Sequence, residues 1–519
     1  MNRPVDEQRR RVIQGIGAAG LLSQLPAYAQ IDPPLNQGDD PFRLGVAAGY
    51  PTPDGVTLWT RLLPGRSDPE AFAARDVLVR WEVFAEGLPG APAASGNAYA
   101  APAEAHSVHV DVRGLEPDRW YSYRFTVAGA ASRTGRFRTA PAASAPASSL
   151  RFAVASCQQY EQGYFGAYRH VVKDSPDLVL FLGDYIYESS WGRNHVRKHD
   201  AGEPYTLDEY RRRYALYKSD PDLQAAHAAC AWLVTWDDHE VDNDYANDRP
   251  EDGMPADRFL ARRAAAYQAY YEHMPLPARM RPQGTSLKLF TQASWGRLAN
   301  FYLLDDRQYR SHQACPRPGR GGSNTVDLSV CTELADPART MLGFEQERWL
   351  GGALTDARAG WNLLGQQTLI APSAVPRGNR NTVWTDGWDG YPAARRRLIQ
   401  QLGAVSNPVT FGGDMHSFYV AELKADSADD TAPVAAIEFV GTSITSQPRA
   451  QSLLDAQARA NPHMNVAEGR YRGYIRVALR PDRLEADLRA MRDVATPDAE
   501  CFTLASYEIE SGKRAAQRR

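Results

Sequence analysis

An unbroken apolar run that stops on glycine and a carboxylate constrains this chain more than any other stretch. Asp177-Leu-Val-Leu-Phe-Leu182 is followed at once by Gly183-Asp184-Tyr185-Ile186-Tyr187-Glu188. Such a short run, closed by a turn signal, reads as a buried strand. Gly183 lets the backbone turn sharply. Asp184 then falls at the carboxyl end of the strand, where open α/β sheets build their sites. Asp184 and Tyr187 are spaced so that one helical turn aims both at a single ion, and a carboxylate with a phenolate suits a hard, highly charged metal. On its own the junction is ambiguous, because a strand-end Asp also serves as a helix cap.

Three further junctions have the same character. Arg151-Phe-Ala-Val-Ala-Ser-Cys157-Gln158 ends a short strand in a thiol. Ala231-Trp-Leu-Val-Thr-Trp236 runs into Asp237-Asp238-His239-Glu240-Val241-Asp242-Asn243-Asp244. Pro408-Val-Thr-Phe-Gly412-Gly413 runs into Asp414-Met415-His416-Ser417. Four junctions delivering Cys, Asp, Tyr and His to one sheet edge predict a centre for two or more metal ions. Taken singly, each residue has a plainer reading. Cys157 is equally a small buried hydrophobe, His239 and His416 are satisfied core histidines, and Asp242, Asn243 and Asp244 are turn formers.

The order Ala-Ser-Cys157-Gln, Leu-Gly-Asp184-Tyr-Ile-Tyr187-Glu, Trp-Asp-Asp238-His239-Glu, Gly-Gly-Asp414-Met-His416-Ser resembles the PhoD-type alkaline phosphatases. These are relatives of the purple acid and calcineurin-like metallophosphatases, and the likeness runs from about Phe42 to about Tyr474. It implies an α/β metallophosphatase fold, with two packed mixed sheets flanked by helices. It also implies an exported phosphatase that hydrolyses phosphate monoesters, and diesters too, by metal-activated water. The cofactors implied are one ferric iron (Fe3+) with one or more calcium ions (Ca2+). On that likeness Cys157, Asp184, Tyr187 and His416 hold the iron, and Asp184 bridges to a second ion. Asp238 and Asp414 stand where the wider superfamily has Asn and His, which shifts the second site from zinc-like toward calcium-like chemistry. His239 takes the place of the histidine near the leaving group, as general acid or phosphate-orienting residue. Asn243 and Gln366 are reserve ligands. Arg307 and Arg310 either reach substrate phosphate as forked donors or make structural ion pairs.

A dedicated phosphodiesterase for nucleotides, phospholipids or polyol-phosphate polymers would use the same centre. A non-catalytic iron-binding protein or an iron redox protein is the remaining alternative.

The chain has 519 residues, enough for two cored domains, with 43% hydrophobic and 23% charged residues. A net charge of −3 gives no basic face, and no nucleic-acid-binding module is recognisable. The arginine groups Arg211–Arg213 and Arg395–Arg397 read as exposed helix faces. No apolar run is long enough for a mature transmembrane segment. Residues 1–29 read as a twin-arginine signal peptide: Gln8-Arg9-Arg10-Arg11-Val12-Ile13-Gln14, an apolar stretch to Leu25, then Ala27-Tyr28-Ala29. This predicts engagement of the twin-arginine export machinery and a periplasmic or secreted location. Cys315 and Cys331 flank a Gly/Pro/Arg-rich loop and are a possible disulfide in an oxidising compartment.

Residues 42–139 alternate with period two at Val56–Leu62, Val77–Phe84, Ser107–Val112 and Tyr121–Val127. They predict an N-terminal immunoglobulin- or fibronectin-like β-sandwich, with Leu115-Glu-Pro117 before Tyr121 as a tyrosine corner. Residues 140–149 read as a linker and 150–495 as the catalytic domain. Within it, Ala256 to His273 shows helical spacing. Residues 496–519 read as a polar C-terminal tail.

Overall fold

The computed structural model describes residues 40–64, 75–88, 90–378, 380–426, 429 and 431–519. The export signal expected at residues 1–29 lies outside them. Its centre is the predicted strand Leu178–Leu182, buried at every residue. It pairs in parallel with Leu150–Ala155 on one side and Ala231–Thr235 on the other. Apart from the exposed Arg151 and the strand-end Thr235, all three are apolar on both faces, as central parallel strands must be when both sides are covered. Further strands extend this sheet to ten, all added antiparallel except Val46–Thr52, which pairs in parallel with Ala231–Thr235.

A second, seven-stranded sheet lies against the first. Its parallel core is Ala299–Leu303, Trp361–Gly365, Pro408–Gly412 and Val434–Val440. The inner faces interlock through aromatic rings: Phe152 meets Phe301 and Phe411 edge-on, at 5.4 and 5.6 Å between centroids. At Gly365 the sheets approach so closely that a Cβ would lie 3.1 Å from the Leu182 side chain. Helices Gly343–Thr355 and Pro392–Gly403 cover the outer face of the second sheet through Leu350, Leu354, Leu398 and Leu402. The other face of the first sheet is covered by Leu207–Lys218, Pro221–Ala229 and Ala256–His273, the last matching its predicted bounds.

The predicted N-terminal strands are present, and the Tyr121 hydroxyl accepts from the Glu116 amide at 2.9 Å, making the tyrosine corner. A sandwich core forms between Val46, Leu58 and Val110 on one side and Val79, Tyr123 and Phe137 on the other. One of its two layers is not separate, however. Val46–Thr52, Gly55–Arg61 and Ser107–Val112 are the end of the ten-stranded sheet, because Val46–Thr52 pairs in parallel with Ala231–Thr235. The expected linker is also packed down: Ala140 and Ala147 are buried, and Arg297 donates its amide to the Ala145 carbonyl at 3.0 Å.

The C-terminal residues are not a free tail. Cys501–Glu510 pairs along its length with Arg483–Met491, and Gln517–Arg518 pairs beyond it. Tyr507 and Ile509 alternate inward to the core, a period-two signal hidden among polar residues. Cys315 and Cys331 are disulfide-bonded. Among the described residues no helix is long and apolar enough to cross a membrane.

Candidate metal centre

The four junctions converge. Cys157, Asp184, Asp414 and His416 all adopt left-handed backbone conformations, with φ of 59°, 57°, 57° and 50°. Non-glycine residues rarely occupy this region, and clusters of them point to sites where side-chain aim outweighs local strain. Gly183, at φ 98°, is required for a second reason: a Cβ there would lie 2.5 Å from Asp237 Cβ and 2.6 Å from its amide nitrogen. The junction backbones are tied by one buried carboxylate. Glu240 accepts from the amides of Asp184, Tyr185 and Asp237 at 3.2, 2.6 and 2.8 Å.

One cluster joins ligand atoms of Cys157, Asp184 and His416, all within 4.8 Å of one another. Tyr187 completes it: its hydroxyl donates to Asp184 Oδ2 at 2.7 Å and lies 3.1 Å from His416 Nε2. His416 Nδ1 sits 3.0 Å from the Gln447 carbonyl, which fixes Nδ1 as the protonated nitrogen and leaves the Nε2 lone pair facing the cluster. The Trp191 ring stacks on this imidazole at 5.6 Å. A second cluster joins Asp184, Asp238 and His239 within the same limit, and a third joins Asp238, Asp244 and Asp386. Asp184 belongs to the first two, the position a bridging ligand requires.

In the first cluster, among the described residues, no Lys or Arg offsets the acidic groups. Asp184 Oδ1 is buried with no hydrogen-bond partner. Burial, with Asp184 close by, holds the Cys157 thiol and the Tyr187 phenol well above their ordinary pKa values. Burial also pushes Asp414 up to about 6, against the pull of Arg307. A buried thiol and phenol, raised further by the carboxylate beside them, become a stable set once a cation sits among them. The residues therefore fit a metal.

His239 Nδ1 is 2.7 Å from Glu188 Oε2. Burial alone would depress this imidazole, but the carboxylates of Glu188, Asp238 and Asp184 together raise it well above its usual value. It lines an open pocket of ≈ 410 Å³ with Asp238, Asp414, His416 and Asn243. Asp414 Oδ2 also accepts from the Thr368 hydroxyl at 2.9 Å. Asn243 donates its side-chain amide to Glu251 at 2.8 Å.

Three candidate residues are engaged in structural contacts, Gln366 against expectation and the two arginines by the second of their two readings. The Gln366 amide is fully used: its oxygen accepts from the Thr368 amide at 3.0 Å and the Trp388 indole at 3.1 Å, and its nitrogen donates to the Thr368 carbonyl. It braces the loop after its strand and is not part of the pocket lining. Arg307 is fully buried, with its fork on Asp237 and, at 2.6 Å, on Asp386. Its remaining nitrogen Nη2 has no hydrogen bond and lies 3.6 Å from Asp238 and 3.9 Å from Asp414. Arg307 thus holds the carboxylates in place instead of reaching into the pocket. Arg310 is likewise spent, on Asp386 at 2.6 Å and the Tyr245 carbonyl at 2.7 Å.

Several contributors were not singled out from the sequence. Glu188 stands in the Tyr187-Glu188 motif itself, and Glu240 follows His239. Asp386 has no strand-end signal. Asp244 was expected as a solvated turn residue but is buried, its Oδ2 accepting from the Ser323 amide at 3.2 Å. Arg213, expected on an exposed face, is 2% exposed and donates to the Glu188 carbonyl at 2.7 Å and the Gly202 carbonyl at 2.8 Å, pinning the loop after Tyr187.

Residues 152–488 match the family model of the PhoD-like phosphatase, and residues 28–141 match that of the PhoD-like phosphatase N-terminal domain. The chain belongs to the PhoD-like phosphatase family. It is 42% identical to alkaline phosphatase D of Bacillus subtilis (strain 168), over 96% of this chain and 87% of that protein. It superposes on a solved structure of PhoD with a TM-score of 0.87 at 41% identity, covering 93% of each chain. A purple acid phosphatase from yellow lupin shares the fold at 10% identity and a TM-score of 0.54, over 90% of this chain and 73% of that one. This PhoD-like protein is a phosphoric ester hydrolase with a metallophosphatase fold.

Proposed function

We propose that the chain is an exported, metal-dependent phosphatase that hydrolyses phosphate monoesters and diesters and releases the alcohol by proton donation from His239. The observation that carries this reading is the sharing of Asp184 between the Cys157–Asp184–His416 cluster and the Asp184–Asp238–His239 cluster. Cys157, Asp184, Tyr187 and His416 would hold a ferric ion, since thiolate and phenolate are donors suited to it. Asp184 and Asp238, with Asp414 and Asn243 beside them, would hold calcium, which prefers oxygen ligands. When bound, such ions supply positive charge for the phosphoryl oxygens and acidify water.

The protein's own groups do the rest. Glu188 keeps His239 protonated on Nδ1 and fixes the ring, so that Nε2 faces the pocket. A protonated His239 donates from Nε2 to the departing alkoxide oxygen as the P–O bond breaks, and is reprotonated by solvent for the next cycle. Arg307 and Arg310 hold Asp237 and Asp386 and so keep the acid cluster at a fixed spacing. Export through the twin-arginine route rests on Arg9-Arg10 and Ala27-Tyr28-Ala29, and would deliver the folded, loaded protein to the periplasm or beyond.

The reading is tested by hydrolysis of an aryl phosphate monoester and a bis-aryl diester, with metal content determined on the same sample. Iron with calcium and chelator-sensitive turnover supports it, and the monoester/diester ratio sets the preference. Fully metallated protein inert on both esters contradicts it.

A further inference from the structure

Anionic substrate must enter a pocket whose wall is itself acidic. Asp238, Asp244, Glu251 and Asp414 all line it. Arg307 and Arg310 are buried behind the lining on Asp237 and Asp386, and the remaining Arg307 nitrogen faces Asp238 and Asp414. Among the described lining residues one arginine is present, Arg449, which is exposed at the mouth. Its guanidinium lies over the Trp384 ring at 5.0 Å, and no carboxylate pairs with it among the described residues. Stacking on an aromatic face leaves the edge donors of the guanidinium free to take an anion.

The same two residues also bound a second cavity. Behind Trp384 and Arg449 runs a groove of ≈ 290 Å³ with an apolar wall of Val375, Val383, Leu453 and Leu454. Leu453, on the helix Gln451–Ala460, is 59% exposed, although its neighbour Leu454 is buried. Trp384 ends the strand Arg380–Trp384 of a small three-stranded sheet, so a rigid element forms the partition. The groove therefore opens beside the reaction pocket across a shared cationic and aromatic edge.

We propose that Arg449, Trp384 and this groove form a substrate subsite that selects phosphodiesters carrying an apolar organic substituent. The inference rests on the phosphatase reading above and names its substrate class. Arg449 takes a non-bridging oxygen of the diester anion, and the substituent lies past Trp384 against Leu453 and Val383. Each methylene removed from water there adds affinity, with a ceiling of about fourfold per group.

The test uses the full metal-loaded chain and p-nitrophenyl alkyl phosphates with methyl, butyl and hexyl groups. For the wild type, kcat/KM rises at least tenfold from methyl to hexyl. In Leu453→Ser the hexyl:methyl ratio falls to within twofold of unity. Arg449→Met raises KM for all three esters at least fivefold with kcat moved less, and Arg449→Lys recovers part of the loss. A flat series in the wild type, an unchanged ratio in Leu453→Ser, or an unchanged KM in Arg449→Met overturns the subsite while leaving the hydrolase intact. No turnover on any ester, with iron and calcium bound, overturns the underlying phosphatase reading instead.

Discussion

Tyr187 and His239 pack ring against ring, 4.1 Å between centroids with planes tilted by 35°, yet they are set up for different work. The Tyr187 hydroxyl touches Asp184 and His416 of the ligand cluster and accepts from the Ser446 hydroxyl beside it. As an iron phenolate it would give a visible charge-transfer band, so Tyr187→Phe is expected to abolish the colour of an iron-loaded protein. An unchanged visible spectrum would show that Tyr187 is not a ligand. His239 instead has Nδ1 on Glu188 and lines the pocket. His239→Ala is expected to slow alkyl phosphates by about 10²–10⁴-fold and p-nitrophenyl phosphate far less, since an activated leaving group needs no proton. Equal losses on both would assign His239 to phosphate positioning.

At the scale of elements, the junctions matter more than the strands. Gly183 has Asp237 Cβ and the Trp236 carbonyl carbon within 2.8 Å of where a Cβ would sit, and neither can move aside. Gly183→Ala is expected to cost more than about 2 kcal/mol and to lower bound metal, read by thermal melting and elemental analysis. Retention of both wild-type values would contradict the need for glycine there. Parallel central strands and the candidate ligands at their ends were legible because both signals are local: a closed apolar run, then Gly and Asp. Helix 256–273 was legible for the same reason, with Phe259, Arg263, Ala266 and Tyr270 on one buried face. What escaped was set by partners distant in sequence. The strand Cys501–Glu510 is specified by pairing with Arg483–Met491, and its exposed face looks like a tail. The fates of Gln366 and Arg307 depended on Trp388 and Asp386, which sit on and just before the single 3-10 turn Trp388–Gly390, too short to carry a sequence pattern. Arg213 looked solvated because only the fold brings four carbonyls to its fork.

Across the whole molecule, the N-terminal layer is locked to the catalytic body by more than sheet pairing. His109 stacks on Tyr271 at 4.4 Å, and its Nε2 serves the carbonyls of Tyr271 and Met274 at 2.9 and 3.0 Å. Nδ1 is then buried with no partner, and burial depresses the imidazole to about 4. The folded form holds His109 neutral while the unfolded chain titrates near 6.5. Its contribution is therefore complete above about pH 6.5 and is lost as pH falls toward 4. In His109→Gln the loss of stability between pH 7.5 and 5.0 should be smaller than in the wild type by about 2 kcal/mol, read from urea unfolding. An identical pH dependence in both proteins would show that His109 is not held neutral. The account as a whole turns on one carboxylate shared by two ligand clusters, and Asp184→Asn with elemental analysis and turnover tests it most directly. Loss of both iron and calcium, with turnover down at least about 10³-fold, is the expected result. An Asp184→Asn protein that keeps both ions and hydrolyses esters at the wild-type rate would contradict it.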